Sequence, residues 1–317
     1  MTSNPEPSRP AATDGGTGPG HITVLAPGGV GGLLAGLLAR DGRSVDIVAT
    51  EPTAARIAED GLRVESAVLG DFTVSVEAAP TARHTADVLI VATKATSLEP
   101  ALDRVPADRL ADGALVVPLL NGFEHIDLLR ARYPRAHVLS SAIWVESTRI
   151  APGHIRQTGP FAGLHIAYSD APAGRVEDLA AAVRATGFPV ELRFDDAALL
   201  WGKLHFLLPT ALVCTHAGQP VGGVRTDRRD DLRGVADEVA AVAATRGVEL
   251  DSDDVIAIVD ALPPGTKPSM LRDREAGRPM EVDALGGALL RAGRAAAVPT
   301  PVTARLVADL ERIGAAG

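Results

Sequence analysis

The chain has 317 residues, 46% of them hydrophobic but only 3% aromatic, which allows two domains with cores built mostly from Ala, Val and Leu. Its formal charge of −9, from 31 Lys and Arg against 40 Asp and Glu, excludes the basic surface that non-specific binding to nucleic acid or an anionic membrane requires. The single cysteine, Cys214, excludes an intramolecular disulfide and fits a reducing, cytoplasmic compartment, and no apolar run reaches the roughly 20 residues of a membrane span.

Residues 1–20, rich in Pro, Gly, Ser and Thr, lack the apolar core of a signal peptide and are expected to form a disordered tail. Order is expected from His21. Ile22 to Ala26 reads as a strand, the glycine cluster after it as a turn, Leu33 to Arg40 as a helix stopped by Gly42, and Ser44 to Ala49 as a second strand. Strand, glycine turn, helix and strand within about 30 residues make one βαβ unit. Pro52 to Asp60 predicts a helix, Leu62 to Ser66 and Phe72 to Val76 predict strands, and Asp87 to Ala92 and Ala114 to Leu120 predict fully buried parallel strands. Strands and turns follow from Val138 to Tyr168, then a helix over Arg175 to Gly187 and a strand over Val190 to Phe194. Beyond Asp195 strand signals fade, and helices are predicted over Ala197 to His216, Asp227 to Arg246, Ser252 to Ala261 and Glu281 to Ala297. The expected fold class is α/β: a Rossmann-like, doubly wound N-terminal sheet over 21–194, followed by an all-α C-terminal domain over 195–317.

The first turn reads Ala26-Pro27-Gly28-Gly29-Val30-Gly31-Gly32. In the dinucleotide fingerprint G-x-G-x-x-G, Ala26 holds the first glycine place, with Gly28 and Gly31 in the others. Gly28 would let the backbone approach a pyrophosphate, Gly31 would let the helix pack close to the strand, and the helix N-terminus would meet the phosphates. An ordinary glycine-rich turn of another α/β fold is the competing reading. At the end of the second strand, Thr50 is compatible with either nicotinamide cofactor, while Glu51 leans to NAD and Arg56 to NADP.

Three later segments are candidates for chemistry. Lys203, in Trp201-Gly202-Lys203-Leu204, shares a helix face with Leu200 and Leu207, with Ala211 a turn further on. Apolar surroundings lower a lysine pKa and suit it to proton transfer; a snorkelling surface lysine is the alternative. Ser269 follows Pro268 and reads either as a helix N-cap or as a hydroxyl offered to a substrate carboxylate. Glu281 and Asp283 begin a helix, where the dipole alone favours carboxylates. Lys94 and Asn121-Gly122 follow predicted strands, at the carboxyl ends where ligands bind in such sheets.

Taken in order, the turn at 26–32, Thr93-Lys94-Ala95, Asn121-Gly122, Trp201-Gly202-Lys203-Leu204, and Ser269-Met270-Leu271 with Glu281-Val282-Asp283 resemble the ketopantoate reductase (2-dehydropantoate 2-reductase) family over nearly all of His21 to Ile313. The resemblance implies a Rossmann domain, an all-α domain and an active site in the cleft between them. It implies NADPH as hydride donor to the C2 ketone of a 2-keto acid, with NAD the other possible cofactor and no metal. Lys203 matches the family's catalytic lysine, Glu281 the acidic residue supporting it, Asn121 the asparagine near nicotinamide and substrate, Ser269 a substrate-binding serine, and Lys94 a lysine near the cofactor. Ala26, Pro27, Gly28, Gly29, Val30, Gly31 and Thr50 complete the implied cofactor site.

The departures are specific. The family places asparagines four and eight residues after its lysine, where this chain has Leu207 and Ala211, and its NADP-selecting arginine aligns with Thr50. A site built to hydrogen-bond a substrate group discriminates by about 10⁴ or more, so apolar residues at Leu207 and Ala211 imply a shifted, less polar ketone or imine substrate. Pro209 is expected to kink this helix. Two alternatives stand beside that reading: authentic 2-dehydropantoate reduction, with Thr210 or His205 replacing the lost amides, and a non-catalytic nucleotide-binding scaffold or sensor. A small-molecule substrate and a monomer or homodimer are expected in either catalytic case, with no nucleic-acid or membrane partner.

Overall fold

A computed structural model describes residues 18–315. Of the expected tail, residues 1–17 lie outside the described residues, and Pro19 is already buried, so order begins before His21. The strands, in chain order, are β1 (Ile22–Leu25), β2 (Val45–Val48), β3 (Leu62–Ser66), β4 (Phe72–Val74), β5 (Glu77–Ala79), β6 (Ala86–Val91), β7 (Leu110–Pro118), β8 (His137–Val138), β9 (Ser140–Ala151), β10 (His154–Ala167) and β11 (Val190–Arg193). Among and between them run α1 (Gly29–Arg40), α2 (Glu51–Asp60), α3 (Leu98–Leu102), α4 (His125–Arg132) and α5 (Ala173–Ala185).

Six strands form one parallel sheet in the order β5-β2-β1-β6-β7-β8. Counting only these strands, that is the 3-2-1-4-5-6 order of paired mononucleotide-binding halves, with its crevice at the carboxyl ends of β1 and β6. The apolar runs are buried on both faces, as β1 and β6 show from Ile22 to Val91. One face carries Leu98, Leu102 and Leu129 of the crossover helices. The other carries α1, whose Leu33, Leu34, Leu37 and Leu38 are all buried. A helix apolar all round needs cover on its second side, and a second sheet supplies it.

That second sheet, ordered β11-β10-β3-β4 with β9 antiparallel to β10, differs from the expected single open sheet. Ile155, Leu164 and Ile166 of β10 close over α1 in the same core. Of the expected strand Phe72 to Val76, only Phe72–Val74 forms, pairing with β3 in the second sheet, and a further strand beyond it, Glu77–Ala79, edges the first.

The remaining chain is helical: α6 (Asp196–Ala217), α7 (Val221–Asp227), α8 (Arg229–Ala244), α9 (Ser252–Ala261), α10 (Ser269–Glu275), α11 (Ala288–Ala295) and α12 (Pro301–Ala315). The Asp195 carboxylate caps α6 by accepting from Ala198 N at 2.9 Å, and Gly218 ends it in the left-handed region at φ 66°. The helix is continuous through Pro209. With 22 residues it is long and apolar enough to cross a membrane by length and composition, contrary to the expectation that no run is. Its Leu204, Leu208, Leu212 and Val213 instead form the axis of the helical core, packed with Leu232 and Val239 of α8 and Leu306 of α12. The expected helix from Asp227 breaks at Arg228 into α7 and α8. The one expected from Glu281 opens with a wide π turn at Asp283–Gly287 before α11.

Candidate active site between the sheet and the helices

The glycine turn joins β1 to α1 and shapes one wall of a cleft of about 660 Å³. Ala26 has φ 65°, a left-handed backbone that costs an L side chain about 1 kcal/mol and explains why glycine suits this place. The turn is tied down by Ala26 N donating to Val48 O at 2.9 Å and Gly28 N to Ala26 O at 2.8 Å. A Cβ on Gly31 would stand 2.6 Å from Ala92 Cβ, so that glycine serves helix–strand contact. A Cβ on Gly29 would run into the Ser147 carbonyl. Gly28 is different. Its φ of −68° suits any residue, and a Cβ there would meet nothing nearer than Ala92 O at 3.9 Å. No intramolecular packing demands this glycine; its missing side chain keeps the cleft open over the N-terminus of α1, which has no side-chain cap.

Several cleft features suit a dinucleotide. The buried Thr93 Oγ1 has no hydrogen-bond partner and belongs to the lining. The one lining carboxylate among the described residues, Asp273, accepts from Lys94 Nζ at 2.7 Å and from Arg278 Nε at 2.9 Å. Arg104, Arg149 and Arg272 add further positive charge. Uncapped helix N–H groups in a cationic cleft are complementary to a pyrophosphate. Ala26, Pro27, Gly28, Gly29, Thr50 and Lys94 line this space, whereas Val30 packs on the core. Glu51 and Arg56, the two conflicting signals for cofactor choice, do not line it. Arg56 pairs instead with Asp60 at 2.6 Å on its own helix.

The acid–base groups gather where the two halves meet. Glu281 is 8% exposed. It accepts from Ala95 N at 3.0 Å and from Asn121 Nδ2 at 3.5 Å, both from the nucleotide-binding half. The approach is made possible by Gly122 (φ 82°), where a Cβ would stand 2.5 Å from Ala284 O. Lys203 is half-buried on α6, and burial pulls its ammonium down to about 8, with the Glu281 carboxylate acting in the opposite direction. Phe123 stacks on Trp201 with ring centroids 5.1 Å apart, seating the 121–125 loop against the helix that carries the lysine. A lysine with a pKa near 8, within the field of a fixed carboxylate, can exchange a proton at neutral pH.

Other candidates fall elsewhere. Ser269 is exposed in the cleft lining as the first residue of α10; Pro268 holds the cap position, so the hydroxyl caps nothing. Leu207 is half-buried against the helical core, and Ala211, 1% exposed, lies within that core. The Thr210 hydroxyl donates to Leu207 O at 3.0 Å and Phe206 O at 3.2 Å. It is thereby spent on its own helix. His205 is buried, and burial lowers its pKa.

Sequence reasoning missed Asp273, Arg104 and His125. Asp273 follows Ser269 by one helical turn, a spacing that could have placed it on the same face. His125 is buried beside Lys203, and burial, with the lysine charge second, pulls it down to about 4. Neither Arg104 nor His125 sits in a local pattern that marks it. No group of three His, Cys, Asp or Glu among the described residues is placed to hold a metal.

The chain matches two family profiles: residues 22–170 match ketopantoate reductase PanE/ApbA, and residues 197–313 match the C-terminal part of that family. It is 31% identical over 300 residues to a 2-dehydropantoate 2-reductase of Mycobacterium tuberculosis, covering 90% of this chain and 95% of that one. A PanE/ApbA family ketopantoate reductase from Ralstonia eutropha superposes with a TM-score of 0.84 at 30% identity, covering 93% of this chain and 98% of that one. D-mandelate dehydrogenase, solved with NADH and anilino(oxo)acetate, shares the fold at a TM-score of 0.84 and 20% identity, covering 93% and 99%. The chain therefore belongs to the ketopantoate reductase family and is a nicotinamide-dependent oxidoreductase acting on a keto group.

Proposed function

We propose that this enzyme reduces a small ketone or 2-keto acid less polar than ketopantoate, with NADPH as donor and Lys203 as the general acid. The observation that carries the substrate shift is the face of α6 around Lys203. By helical spacing Phe206 and Leu207 flank the lysine, and Phe206 packs on Trp144 of β9 with centroids 5.8 Å apart. The next position along, Ala211, is closed into the core, and Thr210 has no free donor to offer. The residues that flank Lys203 on this face are apolar, and none of them offers a free side-chain donor to a polar substrate.

The cofactor, when bound, supplies the hydride that reduces the carbonyl carbon. Gly28 and the uncapped start of α1 would hold its pyrophosphate end, and Thr93 and Lys94 stand at the cleft wall. Lys203 gives a proton from Nζ to the carbonyl oxygen, leaving an alcohol and a neutral amine that solvent reprotonates. Its pKa of about 8 leaves it protonated at neutral pH yet ready to release the proton. Glu281, held by Ala95 N and Asn121, favours the charged lysine between turnovers. Ser269 offers an uncommitted hydroxyl at the cleft for a substrate carboxylate.

A second reading, reduction of 2-dehydropantoate itself, is favoured by the 31% identical relative of that name. NADPH oxidation in the presence of ketopantoate, beside a panel of aryl and alkyl 2-keto acids, ketones and imines, separates the two. A higher kcat/KM for an apolar 2-keto acid than for ketopantoate is expected. An efficiency with ketopantoate equal to that of ordinary family members would remove the substrate shift and leave the second reading.

A further inference from the structure

Arg104 lies just after α3 in the crossover to β7, and its position is defined by backbone. One terminal nitrogen donates to Ala49 O at 3.1 Å and to Pro80 O at 3.2 Å, the residues that follow β2 and β5. The side chain is half-buried and lines the cleft next to Ala49, Thr50 and Thr53. Its Nε and its other terminal nitrogen have no partner among the described residues, and it forms no ion pair with a described carboxylate. Arginines of this chain that lie near carboxylates take them, as Arg56 takes Asp60 and Arg278 takes Asp273. Arg104 is instead fixed by neutral carbonyls with its remaining donors unspent.

The location gives those donors a purpose. In this strand order the end of the second strand receives the adenosine ribose, where a carboxylate would hold the two hydroxyls of NAD and an arginine would accept the extra phosphate of NADP. No carboxylate lines this part of the cleft among the described residues, and the residue at the strand end is Thr50, itself an N-cap whose hydroxyl donates to Thr53 Oγ1 at 3.1 Å. We infer that Arg104, reaching in from the α3 crossover, is the residue that binds the ribose 2′-phosphate and selects NADP over NAD. A planar guanidinium anchored through one nitrogen presents its other edge for paired hydrogen bonds to phosphate oxygens. The inference rests on the nicotinamide reading above and does not depend on which ketone is reduced.

Equilibrium binding tests it without turnover. NADPH and NADH are titrated by nicotinamide fluorescence against the full-length wild type, Arg104→Gln and Arg104→Lys, and adenosine 2′,5′-bisphosphate and 5′-AMP are compared by calorimetry. The wild type is expected to bind NADPH over NADH and the bisphosphate over 5′-AMP. Arg104→Gln should weaken NADPH and the bisphosphate by about 10- to 100-fold, the loss of a charge-assisted contact, while NADH and 5′-AMP stay within about twofold. Arg104→Lys should fall between. NADH affinity and the melting temperature serve as the folding control, because the bonds to Ala49 and Pro80 are also lost in Arg104→Gln. Equal weakening of both dinucleotides would reduce Arg104 to a structural tie, and a wild type preferring NADH, or an unchanged NADPH affinity in Arg104→Gln, would overturn the inference outright. Binding of neither dinucleotide would sink the nicotinamide reading itself. Intact NADPH selectivity lost in Arg104→Gln would uphold the inference even if no ketone in the panel turned over.

Discussion

The two walls of the cleft encode function differently. On the sheet side, what matters is absence and backbone: Gly28 lacks a side chain where packing would allow one, α1 lacks a cap, and Thr93 lacks a partner. On the helical side, what matters is the identity of side chains: Ser269, Arg272, Asp273 and Arg278 at the cleft, and Lys203 with the apolar Leu207 one turn on along α6. Backbone features recognise what is common to all dinucleotides. Side chains on a helix face recognise one substrate and can change without a change of fold.

The sharpest way to break this contrast is at Lys203. Lys203→Met should lower kcat by about 10² to 10⁴. It should also stabilise the fold. The folded pKa of about 8 lies below the usual lysine value of 10.5, so desolvation of the ammonium destabilises the native state in full below pH 8, and the penalty fades between pH 8 and 10.5. Thermal melts should therefore show the variant more stable by on the order of 1–2 kcal/mol at pH 7 and less so at pH 10. In the wild type, kcat/KM for reduction should fall about tenfold per unit above pH 8. Wild-type kcat in the variant would end the general-acid role.

Two glycines test whether the sheet side separates packing from binding. Gly31→Val should destabilise by about 1–3 kcal/mol, because its Cβ overlaps Ala92 and Ala26 O. Gly28→Ala should leave the melting temperature almost unchanged and weaken dinucleotide binding by about tenfold, since its methyl enters only ligand space. Equal stability losses in both would erase the distinction.

On the helical side, Leu207→Asn should raise kcat/KM for ketopantoate about tenfold relative to the best apolar substrate, in a competition assay. Ala211→Asn should instead lower stability, by about 1–3 kcal/mol, because its amide enters a core without partners. The smallest effect is expected at Ala26. Ala26→Gly relieves a left-handed alanine and should add about 0.5–1 kcal/mol, read from chemical denaturation.

The sequence made the first βαβ unit legible because strand, turn and helix each carry their own local pattern between Ile22 and Ala49. It also made α6 legible, although not that Leu207 and Ala211 differ in exposure, which is set by α8 and α12. The second sheet could not be read locally. β3 pairs with β10 about ninety residues later, and alternating sides in Leu62 to Ser66 say nothing about which sheet receives them. Among site residues, Lys203 and Glu281 were isolated by family resemblance, since each has an ordinary structural explanation alone. Arg104 escaped both routes. Its significance comes from Ala49 O and Pro80 O, contacts made across the fold with no spacing to announce them.

Polar and backbone contacts at the candidate site run between residues 94–122 and residues 273–284: Lys94 with Asp273, Ala95 N and Asn121 with Glu281, and Gly122 seated against Ala284. Each pair has one member in each half of the molecule. With the proposed roles of Lys203 and Glu281, catalytic alignment would be a property of the joint, in the way that two halves of a mould define a shape that neither contains. A slide of a few ångström between the halves would leave both cores intact and still disconnect Glu281 from its donors. A ligand touching both walls favours the aligned state, so cofactor and substrate are expected to strengthen each other's binding through that joint even without touching one another.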